Sequence, residues 1–436
     1  MRLKPITWLL FLCLLLALSG FGASAMELGL DDAVKLALDY NLNLQKHRID
    51  LDASGYSEGN LWSEIFPSVN ANASAAYRTT LLTGTPFSNS IPNYGIGLGI
   101  SFSLNAGVPY AIKNIQLAHQ SNILRYEDAC RALAIQITKR FFALVAEKNN
   151  LLLLDEVFNL AQRQFTRSEI SFRNGLTGEL SLTQSRLALE NARYNLNDAR
   201  ISHENNMAEF FAMLGLAPDE SAVLIGDVHI IKIEADAEAL INEYLHLRPD
   251  ITRSNQEIER LALSQMQTVM QSRAPSLNLS LDWNGSVSNP FSDTLGATAR
   301  LSIPLDPWVP GTAREQAISR AANSLEKAKL DLEMTENSAR THIRSLAALL
   351  RSSWDSILIA RLSLDAARRG YQLTEQGFLN GTVEALTLQD TRNSMASARQ
   401  RLLQTELSYF NMILDLSAAL NIDWKNLMEI YGVPSE

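Results

Sequence analysis

Cysteine is scarce in this chain, and so are the residue patterns that carry chemistry. The 436 residues include two cysteines, Cys13 and Cys130. Cys13 lies in an N-terminal apolar run without a lipoprotein-type cleavage box, so we expect no lipid anchor. The six histidines are scattered, and the sequence has no H-E-x-x-H, Cys-x-x-Cys or Gly-x-Ser-x-Gly motif. We therefore predict no metal site, no cofactor and no enzymatic activity.

Positive charge and long apolar runs are also in short supply. Lysine and arginine number 38 against 47 acidic residues, and a nucleic-acid partner would normally need a basic stripe. The apolar run over 6–18 follows Arg2 and Lys4, precedes Ala23-Ser24-Ala25, and is too short for a comfortable membrane span. This pattern predicts a secretory signal peptide over 1–25. Its removal would change the net charge from −9 to −11 and leave one cysteine, which excludes an intramolecular disulfide.

Helix breakers are missing from two long stretches, about 110–173 and 313–378. At 1.5 Å per residue, each stretch would form a helix of roughly 95 Å. Shorter helical patterns, about 179–213 and 385–417, follow each of them after an Asn-Gly turn. The sequence therefore predicts two long antiparallel helical hairpins and no transmembrane helix.

The two hairpins are related by an internal duplication with an offset of 206 residues. Between 161–193 and 367–399, 11 of 33 positions are identical. A period near 200 is too long for a solenoid repeat. We therefore predict two structural repeats, 26–220 and 221–436.

Each long helix carries residues at coiled-coil spacing, which predicts a packing seam. In the second helix the seam consists of Ile343, Leu346, Leu350, Ser353, Ile357, Ala360, Leu364, Ala367, Tyr371, Thr374 and Phe378. In the first helix it consists of Ile137, Arg140, Leu144, Glu147, Leu151, Leu154, Phe158, Ala161, Phe165, Ser168 and Phe172. A second stripe, Trp354, Leu358, Leu362 and Ala366, predicts contact with another neighbour. Near the N-terminus, residues 30–52 read as one helix with Ala33, Leu36, Ala37 and Tyr40 on one face.

Strict alternation of apolar and polar residues predicts four strands. They cover about 68–77, 94–104, 276–286 and 295–305. A half-buried sheet in a soluble sandwich is the ordinary interpretation of such a pattern. Three features favour a membrane barrel instead. The strands are about 10 residues long, their small polar faces suit a water-filled lumen, and aromatic residues cluster at both ends.

Four strands cannot close a barrel around water, because single-chain barrels start at about 8 strands. An open edge in lipid would leave backbone groups unsatisfied. We therefore predict that several chains share one barrel, with Asp282 and Arg300 in its lumen. The loops at 78–93 and 287–294 should face outside, since both strand pairs enter from the helical side at Pro67 and Pro275.

The order of these parts resembles the TolC-like outer-membrane efflux protein family over essentially the whole processed chain. The resemblance rests on Leu30-Asp31-Asp32-Ala33-Val34 with Ala37-Leu38, Arg248-Pro249-Asp250-Ile251, the Pro67-Ser68 and Pro275-Ser276 strand entries, Ile303-Pro304-Leu305, Leu214-Gly215 and the doubled Asn-Gly turn. It implies a homotrimer with a 12-stranded barrel in outer-membrane lipid and a helical tunnel through the periplasm. It also implies the exit duct of a tripartite efflux pump or a type I secretion system. A periplasmic adaptor protein would join this duct to an inner-membrane transporter.

The acidic residues near the turns, Glu179, Glu384 and Asp390, are candidates for a pore entrance, although a solvated helix face is an equal alternative. In the family, an aspartate ring narrows the entrance, and nearby Tyr and Arg side chains help to hold it shut. The aspartate positions correspond here to Thr387 and Asp390. The Tyr position corresponds to Phe378 and the Arg position to Val383, so we expect closure by seam packing rather than by a polar lock.

The two turns are candidate docking tips for the adaptor, since small residues let a partner approach the backbone. They consist of Gly175, Leu176 and Thr177 in the first repeat and Gly381, Thr382 and Val383 in the second. The competing hypothesis for the whole chain is a non-conducting envelope protein, such as a coiled-coil adhesin or spacer.

Overall fold

The computed structural model describes residues 26–76, 93–217, 222–226, 230–286, 292–380 and 382–433. The predicted signal peptide, most of both predicted external loops and Gly381 lie outside the described residues. The chain forms two compact units. The hairpin unit comprises Met1–Lys46, Asp128–Leu245 and Arg340–Glu436, and the sheet unit comprises His47–Glu127 and His246–Ala339.

Most of the described chain is helical. The helices are α1 (Leu30–Tyr40), α2 (Leu42–Gly59), α3 (Val108–Arg173), α4 (Glu179–Leu214), α5 (Ala237–Tyr244), α6 (Pro249–Arg273), α7 (Ala313–Leu379), α8 (Ala385–Leu420) and α9 (Trp424–Tyr431). The strands are β1 (Met26–Leu28), β2 (Ser68–Ala76), β3 (Asn93–Asn105), β4 (Ala222–Leu224), β5 (Lys232–Ile233), β6 (Ser276–Ser286), β7 (Ser292–Ser302) and β8 (Gly432–Val433). The first hairpin is α3 with α4, and the second hairpin is α7 with α8.

The sheet unit contains an antiparallel sheet with the strand order β2-β3-β6-β7. Successive side chains in a strand point to opposite faces, so the alternation seen in the sequence gives this sheet one polar and one apolar face. β7 is exposed along its whole length, and so is β2. A soluble sandwich would cover one face with a second layer. The exposure of both faces therefore argues against that alternative.

The hairpin unit has two clusters of buried apolar side chains. One contains Phe141, Phe142, Phe210 and Phe410, whose rings contact one another. The other centres on Tyr409, which is fully buried. The Tyr409 hydroxyl donates to Ile231 O at 3.1 Å and accepts from Ile233 N at 3.0 Å. Burial raises the pKa of this hydroxyl, and the bond from Ile233 N opposes the rise.

The seam of the second hairpin is apolar, as its sequence predicts. Ile343, Leu346, Leu350, Ile357 and Ala360 are buried. Further along α7, the seam residues from Leu364 to Phe378 are half-buried. The second stripe is different, because Leu358 and Leu362 are exposed, and the neighbour expected there remains a prediction.

The seam of the first hairpin contains a polar network. Arg140 donates to Asn206 Oδ1 at 3.0 Å and to Glu209 at 2.5 Å. Glu147 accepts from Asn206 Nδ2 at 2.8 Å and lies 3.3 Å from His203 Nδ1. Each charged seam residue of α3 is therefore paired with residues of α4, which runs antiparallel to it.

The helix predicted over 30–52 is wrong in one respect, because Asn41 divides it. Asn41 is extended (φ −62°, ψ 123°) and ends α1. Its Oδ1 accepts from the backbone N–H groups of Asn43 and Leu44, at 2.9 and 3.1 Å, and so caps α2. Tyr40, predicted on the apolar face, is 54% exposed, whereas Ala33 and Ala37 are fully buried.

The last long strand is shifted relative to its prediction. The alternating pattern predicts a strand over about 295–305, but β7 covers Ser292–Ser302. Pro304 has no backbone N–H to donate to a sheet. The chain therefore leaves the sheet before it and forms a 3₁₀ turn over Asp306–Trp308.

Candidate functional site

The polar face of the sheet is organised in rungs, each consisting of the residues paired across neighbouring strands. The rung of Asp282 contains Asn70, Gly99, Asp282 and Gly296. Asp282 therefore has a glycine on each side. Its Oδ2 accepts from Ser280 Oγ at 2.9 Å, which holds the carboxylate in place.

Glycines on β3 make room for the side chains of the neighbouring strands. A Cβ added at Gly99 would lie 2.4 Å from Asn70 Oδ1 and 3.0 Å from Asp282 Oδ1. At Gly97 it would meet Asn72 Oδ1 at 2.6 Å and Asn284 Oδ1 at 2.9 Å. The side chains of β2 and β6 thus lie over the glycine backbone, and this face is lined with polar oxygen and nitrogen atoms.

Arg300 lies on the same polar face as Asp282, in a different rung. It is paired with Asn278, and the rung of Ser101, Ser280 and Thr298 lies between the two charged residues. Arg300 is exposed, and so is Asp282. The structure places both predicted lumen residues on one face without bringing them together.

The opposite face of the sheet is apolar and exposed. Leu98 is 54% exposed, Leu295 70% and Leu301 66%. Near one end of this face, Trp283 Nε1 donates to Asp293 Oδ2 at 3.3 Å. At the other end, the Arg273 guanidinium lies 4.7 Å from the ring centroid of Trp308. Exposed aliphatic side chains bounded by aromatic ones are typical of a lipid-facing barrel surface.

Each hairpin turn contains a backbone hydrogen bond at the equivalent position. In the first turn, Leu176 N donates to Ser171 O at 2.8 Å, and Gly175 adopts a positive φ of 73°. This is a Schellman cap, which glycine favours because it has no Cβ. The equivalent bond in the second turn joins Thr382 N to Gly377 O at 2.9 Å.

Side chains of the two turns are exposed to different degrees. Leu176 is 76% exposed, and Thr382 is also exposed, with its Oγ1 donating to Gly377 O at 3.0 Å. Thr177 and Val383 are half-buried. The first turn therefore presents an apolar side chain to solvent at its tip.

The predicted entrance residues follow the turns closely. Glu179 lies in the first turn of α4, and Glu384 is the N-cap residue of α8 without a side-chain capping bond. Thr387 and Asp390 are exposed on α8, whereas Phe378 is half-buried near the end of α7. The carboxylates thus lie on solvated surfaces of the single chain, and this geometry is compatible with both interpretations given above.

A polar contact near the second turn was missed by the sequence analysis. Tyr371 donates from its hydroxyl to Glu375 Oε1 at 2.9 Å, and the Arg392 guanidinium lies 5.9 Å from the Tyr371 ring centroid. Burial raises the pKa of Tyr371, the bond to Glu375 adds to this, and Arg392 opposes both. Arg392 is identical to Arg186 at the duplication offset, but that identity did not indicate a partner. Arg361 of α7 also donates to Glu406 Oε1 of α8 at 3.1 Å, so the second hairpin has polar contacts between its helices besides its apolar seam.

Within the described ranges, no group of three or more His, Cys, Asp or Glu side chains is placed to hold a metal ion. Among the helices of the same ranges, none combines the length and apolar character needed to cross a membrane.

A four-stranded sheet with one polar and one apolar face, in a chain that also forms two long helical hairpins, is typical of a subunit of an outer-membrane barrel. The chain belongs to the outer membrane efflux protein family, which it matches over residues 33–216 and 240–421. The predicted fold class, mainly helical with four strands for a shared transmembrane barrel, is confirmed. As a member of this family the chain is a protein of the outer membrane that extends into the periplasm, and it is not an enzyme.

Several relatives resemble the chain over most of its length. It is 21% identical over 406 residues to the probable outer membrane lipoprotein SilC of Salmonella typhimurium, covering 89% of this chain and 84% of SilC. The outer membrane channel CmeC of Campylobacter jejuni superposes with a TM-score of 0.73 at 18% identity, over 92% of this chain and 88% of CmeC. The outer membrane protein VceC of Vibrio cholerae gives 0.69 at 16% identity, over 91% and 96%. At these identities the solved structures establish the fold alone.

Proposed function

We propose that three copies of this chain form the passive exit duct of a tripartite efflux pump or a type I secretion system. The observation that carries the proposal is the four-stranded sheet with exposed polar and apolar faces. Its outer strands, β2 and β7, each pair with one neighbour within the described chain. Unpaired edges are not tolerated in lipid. Three copies supply twelve strands, enough to close a barrel around water.

Conductance is the most direct test of this proposal. Purified trimer in a planar lipid bilayer should conduct ions, and a variant loosened at the entrance, Phe378→Ala, should conduct more. If neither the native trimer nor Phe378→Ala conducts, the non-conducting alternative, a coiled-coil adhesin or spacer, is favoured.

A matched pair of substitutions tests which face of the sheet meets lipid. Ala297→Arg changes the apolar face in the middle of β7, and Thr298→Arg changes the polar face at the adjacent residue. A charge on a lipid-facing strand costs about 2–4 kcal/mol at the bilayer midplane, so Ala297→Arg should impair insertion. Thr298→Arg should insert normally and alter conductance. The reverse outcome would show that the polar face meets lipid and that the apolar face lines the lumen.

The hairpin tips supply the adaptor-docking surface in this proposal. Leu176 is the most exposed apolar side chain of the described tip residues. We expect Leu176→Asp to abolish export while heat-stable trimers still form and insert, because the Leu176 side chain is 76% exposed and its replacement removes little buried packing. Export at the native level would show that the tip is only a turn.

The proposal fixes the direction in which the chain crosses the membrane. After removal of residues 1–25, the loops at 78–93 and 287–294 face the cell exterior. A cysteine at Ser292, the first residue of β7, should react with an impermeant thiol reagent on intact cells. A Cys130→Ser background prevents reaction at the natural thiol. Labelling that occurs only after envelope disruption would show that the topology is opposite to the one proposed.

A further inference from the structure

Formal charge is rare on the four strands of the sheet. Their residues, all of which the structure describes, include Asp282, Asp293 and Arg300 as the charged ones. Asp293 lies on the apolar face, where its pairing partner is Gly285 and its carboxylate binds Trp283. The polar face therefore carries one negative and one positive charge per chain.

The register fixes the distance between these two charges. Asp282 is paired with Gly296, and Gly296 precedes Arg300 on β7 by four residues, which is about 13 Å along the strand. An ion pair needs its charged atoms within about 4 Å, so the two side chains do not neutralise each other. Arg300 is the nearer of the two to the rung of Asn105, Ser276 and Ser302, where the strands connect to helices.

We propose that Asp282 and Arg300 form two rings of opposite charge in the channel lumen, and that these rings make ion conduction asymmetric. The proposal rests on the trimeric channel proposed above. Three copies place three carboxylates in one rung and three guanidinium groups in another, with the hydroxyl rung of Ser101, Ser280 and Thr298 between them. The ring of Asp282 lies towards the exterior, and the ring of Arg300 lies towards the helices.

The size of the barrel lets these rings act on passing ions. Twelve strands about 4.8 Å apart and tilted by about 40° form a barrel of roughly 12 Å radius at the backbone. Side chains narrow the open radius further, except at Gly99 and Gly296, which have no side chain beside Asp282. The Debye length is about 10 Å at 0.1 M salt and about 3 Å at 1 M. Each ring therefore influences most of the lumen at low salt and little of it at high salt.

Two opposed rings in series give the current a preferred direction. The ring of Asp282 concentrates cations and the ring of Arg300 concentrates anions. When the exterior is positive, cations enter through the Asp282 ring and anions enter through the Arg300 ring, so both accumulate between the rings. The opposite voltage depletes both ions there. Current should therefore be larger with the exterior positive.

Current–voltage curves of the full-length trimer test this directly. We expect the ratio of currents at equal and opposite voltages to exceed about 1.5 at 0.1 M KCl and to approach 1 at 1 M, where screening is strong. Asp282→Asn and Arg300→Gln should each reduce the ratio, and the double exchange Asp282→Arg with Arg300→Asp should invert it. A ratio unchanged in all three variants would overturn the proposal, because asymmetry from the entrance would survive these substitutions.

A second measurement does not depend on conduction. In a Cys130→Ser background, a cysteine at Asn284 lies one rung beyond Asp282, and a cysteine at Ser276 lies one rung beyond Arg300. Positively and negatively charged methanethiosulfonate reagents are compared at each thiol by mass spectrometry. The rate ratio of the positive to the negative reagent should be several-fold higher at position 284 than at position 276.

The control and the contrary outcomes separate this proposal from the proposed function. Asp282→Asn should lower the rate ratio at position 284, and Arg300→Gln should raise it at position 276. Equal rate ratios at positions 284 and 276 would contradict the charged rings even if the trimer conducts. Different rate ratios at the two positions, in a trimer that does not conduct, would support the charged rings and contradict the proposed exit duct.

Discussion

The two hairpins have nearly the same length and the same turn, but their helices are held together by different chemistry. α4 and α8 each have 36 residues, and α3 and α7 have 66 and 67. At the duplication offset, Arg140 and Glu147 of the first seam correspond to Leu346 and Ser353 of the second. The first seam therefore carries two charged residues at positions where the second seam has buried Leu346 and Ser353.

The partners on the returning helices differ in the same way. His203 faces Glu147 in the first hairpin, and its counterpart in the second hairpin is Tyr409, which is fully buried. A buried polar group must have a partner, and Tyr409 finds two on the backbone of Ile231 and Ile233. The comparison shows that the duplicated backbone tolerates either solution, provided that every polar group introduced at the seam is paired.

The largest expected effect is at Tyr409. Replacement of a fully buried aromatic residue by alanine typically costs about 3–5 kcal/mol, so Tyr409→Ala should strongly lower the thermal midpoint of the helical signal. His203→Ala is the matched change in the first hairpin. It should lower the midpoint much less, because His203 is partly exposed and Glu147 keeps Asn206 as a donor. Circular dichroism of the trimers measures both midpoints, and equal losses would contradict a difference in packing between the two hairpins.

A smaller effect is expected from Glu147. Glu147→Ala leaves Asn206 Nδ2 and His203 without their acceptor, which should cost about 1 kcal/mol for a partly exposed pair. The double substitution Arg140→Leu with Glu147→Ser copies the second hairpin onto the first. It should be less damaging than Glu147→Ala, since it introduces apolar packing at one seam position and removes both seam charges. Thermal unfolding of the same trimers measures all three proteins.

The ends of the two seams allow a functional comparison. Phe172 is 39% exposed, whereas its counterpart Phe378 is half-buried. We expect Phe378→Ala to raise single-channel conductance at least about twofold by loosening a hydrophobic constriction, and Phe172→Ala to change it less. Normal trimer yield is the control for folding. If Phe172→Ala had the larger effect, the first hairpin would form the constriction.

The smallest effect concerns the charge of α8. Asp390 corresponds to Gln184 in the first hairpin, so three copies would give a single ring of three negative charges. Asp390→Asn should reduce cation selectivity and block by multivalent cations, with no effect on assembly. Gln184→Glu should have little effect if only the second hairpin lines the entrance. Reversal potentials in a salt gradient measure this, and unchanged selectivity in Asp390→Asn would make Asp390 part of an ordinary solvated face.

Much of the fold could be predicted because its repeats are long and strictly periodic. The seam from Ile343 to Ala360 is buried as its 3-4 spacing predicts. The interruption at Asn41 was not predicted; Asn41 caps α2 through local bonds, and its Nδ2 also donates to Met213 O, 172 residues away. Tertiary bonds of this kind leave no periodic trace in the sequence.

The candidate site could be predicted from the sequence only in part, for the same reason. Alternation assigns Asp282 and Arg300 to one face, because side chains in a strand change sides at every residue. The register that separates them arises from pairing between β6 and β7, and the two glycines beside Asp282 come from β3 and β7. The contact of Tyr371 with Glu375 and Arg392 depends on rotamers across two helices, which spacing alone does not determine.

The bond from Asn41 to Met213 has a consequence for how the chain is made. β1 pairs in parallel with β4, Met26 beside Ala222, so the N-terminal segment is held at two points by chain nearly 200 residues downstream. A chain secreted N-terminus first delivers α1 and α2 to the periplasm long before α4 arrives. Bringing such distant segments together carries a loop-closure cost before any contact forms. The contacts of β1 with β4 and of Asn41 with Met213 therefore cannot form until the first hairpin and β4 have been exported.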